Sequence, residues 1–385
     1  MPFAIPTVGC LYEGRLIAST KTGDVFALDM ETGAQLWRAP VSIVNTTSGD
    51  TASMFCYNGT VVSATHNQVG NTEGGNADVV AVRAEDGGLL WRYSPEIGVY
   101  NFQASTPEDG TIVFQDRAGG LYRLRLGDGS EVWRSGKRGV PWTLTFTTGA
   151  TVCHEGKVFV VSNAQAGLPW DPVSGLLHAY ALEDGRLLWE QYLPYSANQA
   201  AAVGPAPGGR GGSIAVVGIG TNPSLPLGLS TSQNAGLLVG GLCHLADVFM
   251  PWLFARTPAA MQAYDAETGA RLWHYELPPY RKMATRGDTE RLLQRYEDMS
   301  LGRNPNNDPV CLPDSCSQPV IGPDGTAYQG WQDGRLYAIK DANRDGRIDE
   351  SEVSWHQLSD GFQGSLGLAP GMLAAAPCGG GLYVW

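Results

Sequence analysis

The stretch Asp341-Ala-Asn343-Arg-Asp345-Gly346-Arg347-Ile348-Asp349-Glu-Ser-Glu352 has the make-up of a site for a hard divalent cation. Oxygen-bearing side chains fill its positions 1, 3, 5, 9 and 12, with glycine at position 6 and isoleucine at position 8. Calcium wants many oxygen ligands at adaptable distances. This spacing offers them from Asp341, Asn343, Asp345, Asp349 and Glu352, with the Arg347 backbone carbonyl added, and the glycine permits the sharp turn. The flanks, Arg335 to Lys340 and Val353 to Leu358, read as strands, not as the paired helices of a calcium sensor. The expected role is structural: a calcium ion rigidifying a turn.

Sulfur chemistry is the next candidate, because the chain carries 7 cysteines. Cys311 and Cys316, in Cys-Leu-Pro-Asp-Ser-Cys, are spaced to close a small disulfide loop. Zinc is the competing reading, but no second Cys or His pair stands at ligand spacing nearby. The disulfide is favoured, and with it an oxidising compartment. Cys10, Cys56, Cys153 and Cys378 read as one repeat position, before a turn at the end of an innermost strand. There cysteine serves as a small apolar packing residue, the favoured reading, or gathers into a thiol ring for a soft metal. The 6 histidines show no ligand spacing; His154, His178, His274 and His356 read as strand or exposed polar residues.

The elements that position these residues follow from a repeat. Fifty glycines and 24 prolines among 385 residues, with 17% charged, imply many turns and little amphipathic helix. A small residue is followed ten positions later by tryptophan in Ala27–Trp37, Ala81–Trp91, Ala179–Trp189 and Ala263–Trp273; Arg123–Trp133 keeps the spacing with arginine in the first place. Each contains Thr-Gly or Asp-Gly between apolar runs, a hairpin signal, since glycine supplies the positive φ of the turn. Another apolar run precedes each hairpin, as in Gly59-Thr-Val-Val-Ser-Ala, and a short innermost strand precedes that. Four-stranded units of this kind bury their faces by stacking radially as blades.

These residues resemble the PQQ-like (quinoprotein alcohol dehydrogenase-like) β-propeller repeat, in which tryptophan docks against the small residue of a neighbouring motif. The resemblance covers nearly the whole chain. It implies one all-β domain over 1–385: a β-propeller of four-stranded blades, six full units plus a partial seventh. The sixth hairpin is expanded between Ala338 and Trp355, and its seven extra residues complete the loop 341–352, an EF-hand-type calcium loop. Two insertions, 221–259 and 279–316, are expected to be partly helical, the second through Asp288-Thr-Glu-Arg-Leu-Leu-Gln-Arg-Tyr-Glu-Asp-Met. Ala374 to Trp385 matches the first two strands of a seventh unit. That unit is completed elsewhere, or closes as a partial sheet whose edge is open to a partner strand.

The function classes narrow accordingly. A formal charge of −12 argues against nucleic acid and against a strongly anionic membrane surface. The apolar run from Leu237 to Phe254 holds His244, Asp247 and Pro251, so no transmembrane span is expected. It reads as a plug over the channel or as a surface presenting Phe249, Trp252 and Phe254 to a protein partner. No secretory leader stands at Met1, yet the cysteines and loop suggest an extracytoplasmic, periplasmic, cell-surface or secreted protein whose leader lies outside this chain.

Gly218-Ile-Gly-Thr-Asn222-Pro-Ser resembles the quinoprotein segment whose asparagine helps hold PQQ and calcium, which makes Asn222 a cofactor-binding candidate. Departures from that family weigh against catalysis. Its metal-ligating glutamate is missing near Asn163-Ala-Gln-Ala-Gly, Asp288 stands in a different context from its catalytic aspartate, and the adjacent-cysteine disulfide is absent. The favoured function is a non-catalytic, calcium-stabilised, protein-binding scaffold, as in the extracytoplasmic PQQ-like proteins that keep the ring and lose the quinone. The alternative is a PQQ- and calcium-dependent dehydrogenase oxidising an alcohol or sugar.

Overall fold

The structure, a computed structural model, describes residues 9–20, 24–41, 54–67, 76–99, 102–136, 143–146, 150–166, 173–209, 211–220, 257–280, 282, 284–304, 311, 316–379 and 381–385. Of the expected insertion 221–259, residues 221–256, with Asn222 and the apolar run 237–254, lie outside the described residues, and its last three residues belong to the strand Thr257–Asp265. The chain divides into two compact units, Met1–Gly167 with Leu176–Gln191, and Leu168–Gly175 with Tyr192–Trp385.

The first unit holds repeated antiparallel meanders. β1 (Cys10–Tyr12), β2 (Arg15–Ser19), β3 (Val25–Asp29) and β4 (Gln35–Ala39) pair in chain order. So do β5 (Met54–Tyr57), β6 (Thr60–Asn67), β7 (Asn76–Arg83) and β8 (Leu89–Tyr93). β9 (Thr111–Gln115), β10 (Leu121–Arg125) and β11 (Glu131–Ser135) form a third sheet, its inner edge held by a bridge between Ser105 and Val113. The fourth contains β12 (Thr143–Phe146), β13 (Thr151–His154), β14 (Lys157–Ala166), β15 (Val173–Ala181) and β16 (Leu187–Leu193); β12 and β13 both pair with β14.

The ten-residue spacing proves to be a hairpin register. Ala27 pairs with Trp37, Ala81 with Trp91 and Arg123 with Trp133, and in each case the register shifts at the next residue toward the turn. One extra residue is thus absorbed as a β-bulge beside each tryptophan. The small residue therefore faces its own tryptophan, which corrects the expectation that it receives the neighbour's. The docking partner is the turn glycine of the next sheet. A Cβ added at Gly87 would stand 2.6 Å from the Trp37 ring, at Gly129 2.7 Å from Trp91, and at Gly185 2.9 Å from Trp133. The indole N–H groups of Trp37, Trp91 and Trp133 donate to the carbonyls of Ala84 (3.2 Å), Leu126 (2.7 Å) and Leu182 (2.9 Å). Glycine is required twice over: its φ is +73° at Gly87 and +69° at Gly129, and any side chain would meet the ring.

The second unit repeats the plan. β17 (Ala202–Pro205), β18 (Ser213–Gly220), β19 (Thr257–Asp265) and β20 (Arg271–Tyr280) form one sheet, with Ala263 opposite Trp273. β21 (Val320–Ile321), β22 (Ala327–Gly330), β23 (Arg335–Ile339) and β24 (Val353–Gln357) form the next. β25 (Gly367–Ala369), β26 (Met372–Ala375) and β27 (Tyr383–Val384) form the last. This partial sheet has three strands, and Ala374 to Trp385 supplies its second and third, not its first two. Between β20 and β21 the described residues hold one α-helix, α1 (Asp288–Ser300). Among the described residues there are thus seven sheets, the blades of a β-propeller, the all-β class that the repeat predicts.

Two expectations about particular residues are corrected. Trp355 pairs with Tyr337, and Ala338 with Ser354, so the sixth tryptophan is one place out of register with the others. A one-residue slip turns every side chain to the opposite face. Trp355 accordingly shares a face with Arg335, whose guanidinium lies 4.5 Å from the ring centroid, and stays 53% exposed. The cysteines also pair differently. Cys311 is joined to Cys378, not to Cys316, and Cys10 is joined to Cys56. Cys316 is a buried free thiol in the core with Trp273 and Trp331, which removes the zinc reading of the Cys311/Cys316 pair. Cys10, Cys56 and Cys153 do lie on innermost strands, but Cys378 follows β26 and does not share their position.

Candidate calcium loop

β23 carries the chain to Asp341, and a short 3₁₀ turn, Glu350–Glu352, returns it to β24. The loop between them is held by its own side-chain oxygens. Asp341 Oδ2 accepts the Gly346 N–H at 3.2 Å, Asn343 Oδ1 accepts the Asp345 N–H at 2.9 Å, and Asp345 Oδ1 accepts the Arg347 N–H at 2.8 Å. Glu352 reaches back across the loop, accepting N–H groups from Ala342 (2.7 Å), Asn343 (3.3 Å) and Asp349 (3.1 Å). Arg344 and Gly346 take positive φ values of 62° and 80°, and these give the loop its tight curl. Gly346 has a steric role too, since a Cβ there would lie 2.9 Å from the Leu272 carbonyl oxygen.

Ile348, at the eighth loop position, packs against the core cluster that contains Trp273, Tyr337 and Ile339. The loop is therefore anchored in the interior and is not a free excursion.

One oxygen is left over. Asp341 is 5% exposed, and its Oδ1 has no hydrogen-bond partner. A buried acceptor without a donor costs about 1–3 kcal/mol, and more when charged. A cation beside it removes that cost. With Asp345, Asp349, Asn343 and the Arg347 carbonyl along the same curl, the donor set is all oxygen and suits calcium rather than a soft metal. Glu352, the acid at the twelfth loop position, is braced against three backbone N–H groups.

The other candidate residues fall elsewhere. Cys153 bonds Ser105 at 3.1 Å, and burial pushes its thiol up to about 11, which makes it a poor ligand or nucleophile. Burial likewise raises the Cys316 thiol. His178 pairs with Glu190 at 2.9 Å, and His274 lies between Gln262 (2.8 Å) and Glu276 (2.9 Å). Asn163 is fully buried on β14. Asp288, the nearest counterpart of the quinoprotein aspartate, is 1% exposed and committed to structure: it accepts the Cys311 N–H at 2.6 Å and pairs with Arg291 at 3.0 Å. Arg291 also meets Asp360 at 3.3 Å, so α1 is tied by charge to the chain after β24, while the Cys311–Cys378 bridge ties the segment that follows α1 to the chain after β26.

Sequence reasoning missed Arg271 and Arg344. They line a cleft of about 420 Å³ with Asp265, Asp341, Asp345 and Trp273. Nothing in the spacing of the chain marks them, because they come from different sheets.

Comparison with known proteins places this architecture. Outer membrane protein assembly factor BamB of Yersinia pestis is 27% identical over 178 residues, 46% of this chain and 41% of that protein. The match thus spans less than half the length of that relative. Among solved structures, BamB from Moraxella catarrhalis superposes with a TM-score of 0.56 at 16% identity, covering 97% of this chain and 81% of that one. The computationally designed Ika8 protein gives a TM-score of 0.55 at 12% identity, covering 98% and 82%. At those identities the structural likeness establishes the fold. Residues 21–217 match the family described as outer membrane protein assembly factor BamB, and since these are just over half of the 385 residues, the chain belongs to that family of PQQ-like repeat propellers.

Proposed function

We propose that this chain is a non-catalytic, protein-binding propeller that works outside the cytoplasm and is braced by calcium in the loop 341–352. The observation that carries the first part is the family match over residues 21–217, because its named member is an assembly factor for outer membrane proteins. The two disulfides suit an oxidising compartment. Among the described residues no helix is long and apolar enough to cross a membrane. The apolar segment 237–254 and the edge of the three-stranded last sheet are the proposed contact surfaces. Pull-down of envelope proteins tests this: a partner retained by the whole chain should be lost when 237–254 is deleted or when β27 is made unable to pair. Retention by both variants would remove these surfaces.

The calcium part is supported by the complete ligand spacing and by the unpartnered, buried Asp341 oxygen. Asp341, Asn343, Asp345, Asp349, Glu352 and the Arg347 carbonyl would hold the ion, which supplies charge neutralisation and rigidity. A ligand that binds only the folded state adds about 2.7 kcal/mol at a hundredfold excess over its Kd. Isothermal titration and thermal unfolding should therefore show one calcium site and a higher Tm in calcium than in chelator, both abolished in Asp341→Asn. An identical Tm with and without calcium would sink the idea.

A further inference from the structure

The calcium loop does more than close a hairpin: it folds over the turns of the preceding sheet and forms one wall of a cleft. The opposite wall is the β17–β18 connection, with Ala206, Pro207, Gly212 and Ser213, and the β19–β20 hairpin, with Asp265, Arg271 and Leu272. The Arg344 guanidinium lies against Gly208, where an added Cβ would stand 3.3 Å from it. Among the described residues no hydrogen bond or ion pair engages the guanidinium of Arg271 or Arg344. Each acid in the cleft has at least one oxygen engaged by a neighbouring group. Asp265 caps its own hairpin through the N–H groups of Glu267 (3.1 Å) and Thr268 (2.7 Å), and Asp345 is bound within the loop. The Asp341 Oδ1, in contrast, is both buried and unpartnered, on a residue that lines the cleft.

We propose that this cleft is a calcium-gated receptor for a carboxylate, the acidic side chain of an extended peptide, held between Arg271 and Arg344. The inference rests on the calcium reading of the loop. Its logic is charge balance. Three carboxylates (Asp265, Asp341, Asp345) and two guanidiniums (Arg271, Arg344) line the cleft, so without a cation an incoming anion meets a net negative wall. A divalent ion in the loop, shared with Asp349 and Glu352, adds two positive charges beside Asp341 and Asp345 and so lowers the barrier to an anion, while the arginine forks offer two-pronged hydrogen bonds to a carboxylate. Leu272, Pro207 and Ile214 supply an apolar bed for the methylene groups of a glutamate. In a chain of formal charge −12, such a local gain of positive charge favours the approach of an acidic ligand to this cleft.

The test uses the whole chain and a capped, fluorophore-labelled tetraglutamate peptide, read by anisotropy, with calcium affinity measured separately by titration calorimetry. The peptide should bind in calcium and weaken at least about tenfold in chelator. The Arg271→Gln/Arg344→Gln double variant should weaken to a similar extent while its calcium affinity is unchanged. Peptide binding that ignores chelator, survives the double variant, or is matched by capped tetralysine overturns the proposal. Equal affinity for free glutarate overturns the peptide assignment in favour of a small dicarboxylate. Calcium binding without peptide binding sinks the cleft alone, whereas no calcium binding sinks the loop reading and the cleft with it.

Discussion

The indole of Trp91 lies directly over Gly129, so close that a Cβ on that glycine would stand 2.7 Å from the ring, and its N–H closes the contact on the Leu126 carbonyl. The same relationship joins Trp37 to Gly87 and Trp133 to Gly185. Adjoining sheets in the first unit are thus latched by one aromatic ring, one missing side chain and one hydrogen bond.

Gly129→Ala should therefore cost about 2–4 kcal/mol, combining a disfavoured positive φ with overpacking against the ring. Gly33 has nearly the same φ, +70°, but nothing within 4 Å of an added Cβ. Gly33→Ala should cost only about 1 kcal/mol. Urea unfolding of both variants measures the difference, and equal costs would show that the ring contact adds nothing.

The tryptophans should divide in the same way. Trp91 is 7% exposed, and Trp91→Ala should destabilise by about 3–5 kcal/mol. Trp355, turned to the other face by its register and 53% exposed, should lose less than about 1 kcal/mol on truncation, chiefly its contact with Arg335. Chemical unfolding of the two variants gives the comparison directly.

Peptide mapping without reductant should recover Cys311 cross-linked to Cys378 and Cys10 to Cys56, with Cys316 labelled by thiol reagents only after unfolding. Cys378→Ser should lower stability by about 2–4 kcal/mol by releasing a long closed loop. A Cys311–Cys316 peptide would contradict the packing of Cys316 in the core.

Glu131 offers a pH signature. Its carboxyl is held below the ordinary value of 4.5, first by the Arg134 guanidinium and then, against some desolvation, by the Tyr93 hydroxyl at 2.6 Å. A carboxylate whose folded pKa lies below its unfolded one stabilises fully above the unfolded value, and that contribution fades as pH falls through the folded value. Glu131→Gln should thus destabilise at neutral pH by less than about 1 kcal/mol, since Arg134 is half exposed, and become neutral in strong acid. Stability measured across pH 2–7 tests the sign.

Much of the fold was legible because the Ala27–Trp37 spacing is itself a cross-strand register, and registers are written locally. The docking partner was not, since Gly87 already has a sufficient local reason to be glycine and the ring that lies on it comes from another sheet. The Cys311–Cys378 pairing, 67 residues apart, depends on where α1 and β26 come to rest, and nearest-neighbour spacing pointed to Cys316 instead. The oxygen-bearing residues of the loop 341–352 were legible one by one from their spacing. The orphaned oxygen of Asp341 and the two arginines that line the same cleft became visible only when three turns were assembled around it.

The parity of that loop has a historical consequence. It lengthens its hairpin by seven residues, and in doing so leaves Trp355 opposite Tyr337 where the other hairpins would place it opposite Ala338. Trimming the loop back to an ordinary turn would restore the spacing but swing every side chain of β24 to the opposite side, burying Trp355 and evicting its neighbours. Ile348 would leave the core in the same step. Once acquired, such an insertion is hard for descent to undo by simple deletion, so the loop is expected to persist even in descendants that lose its acidic residues.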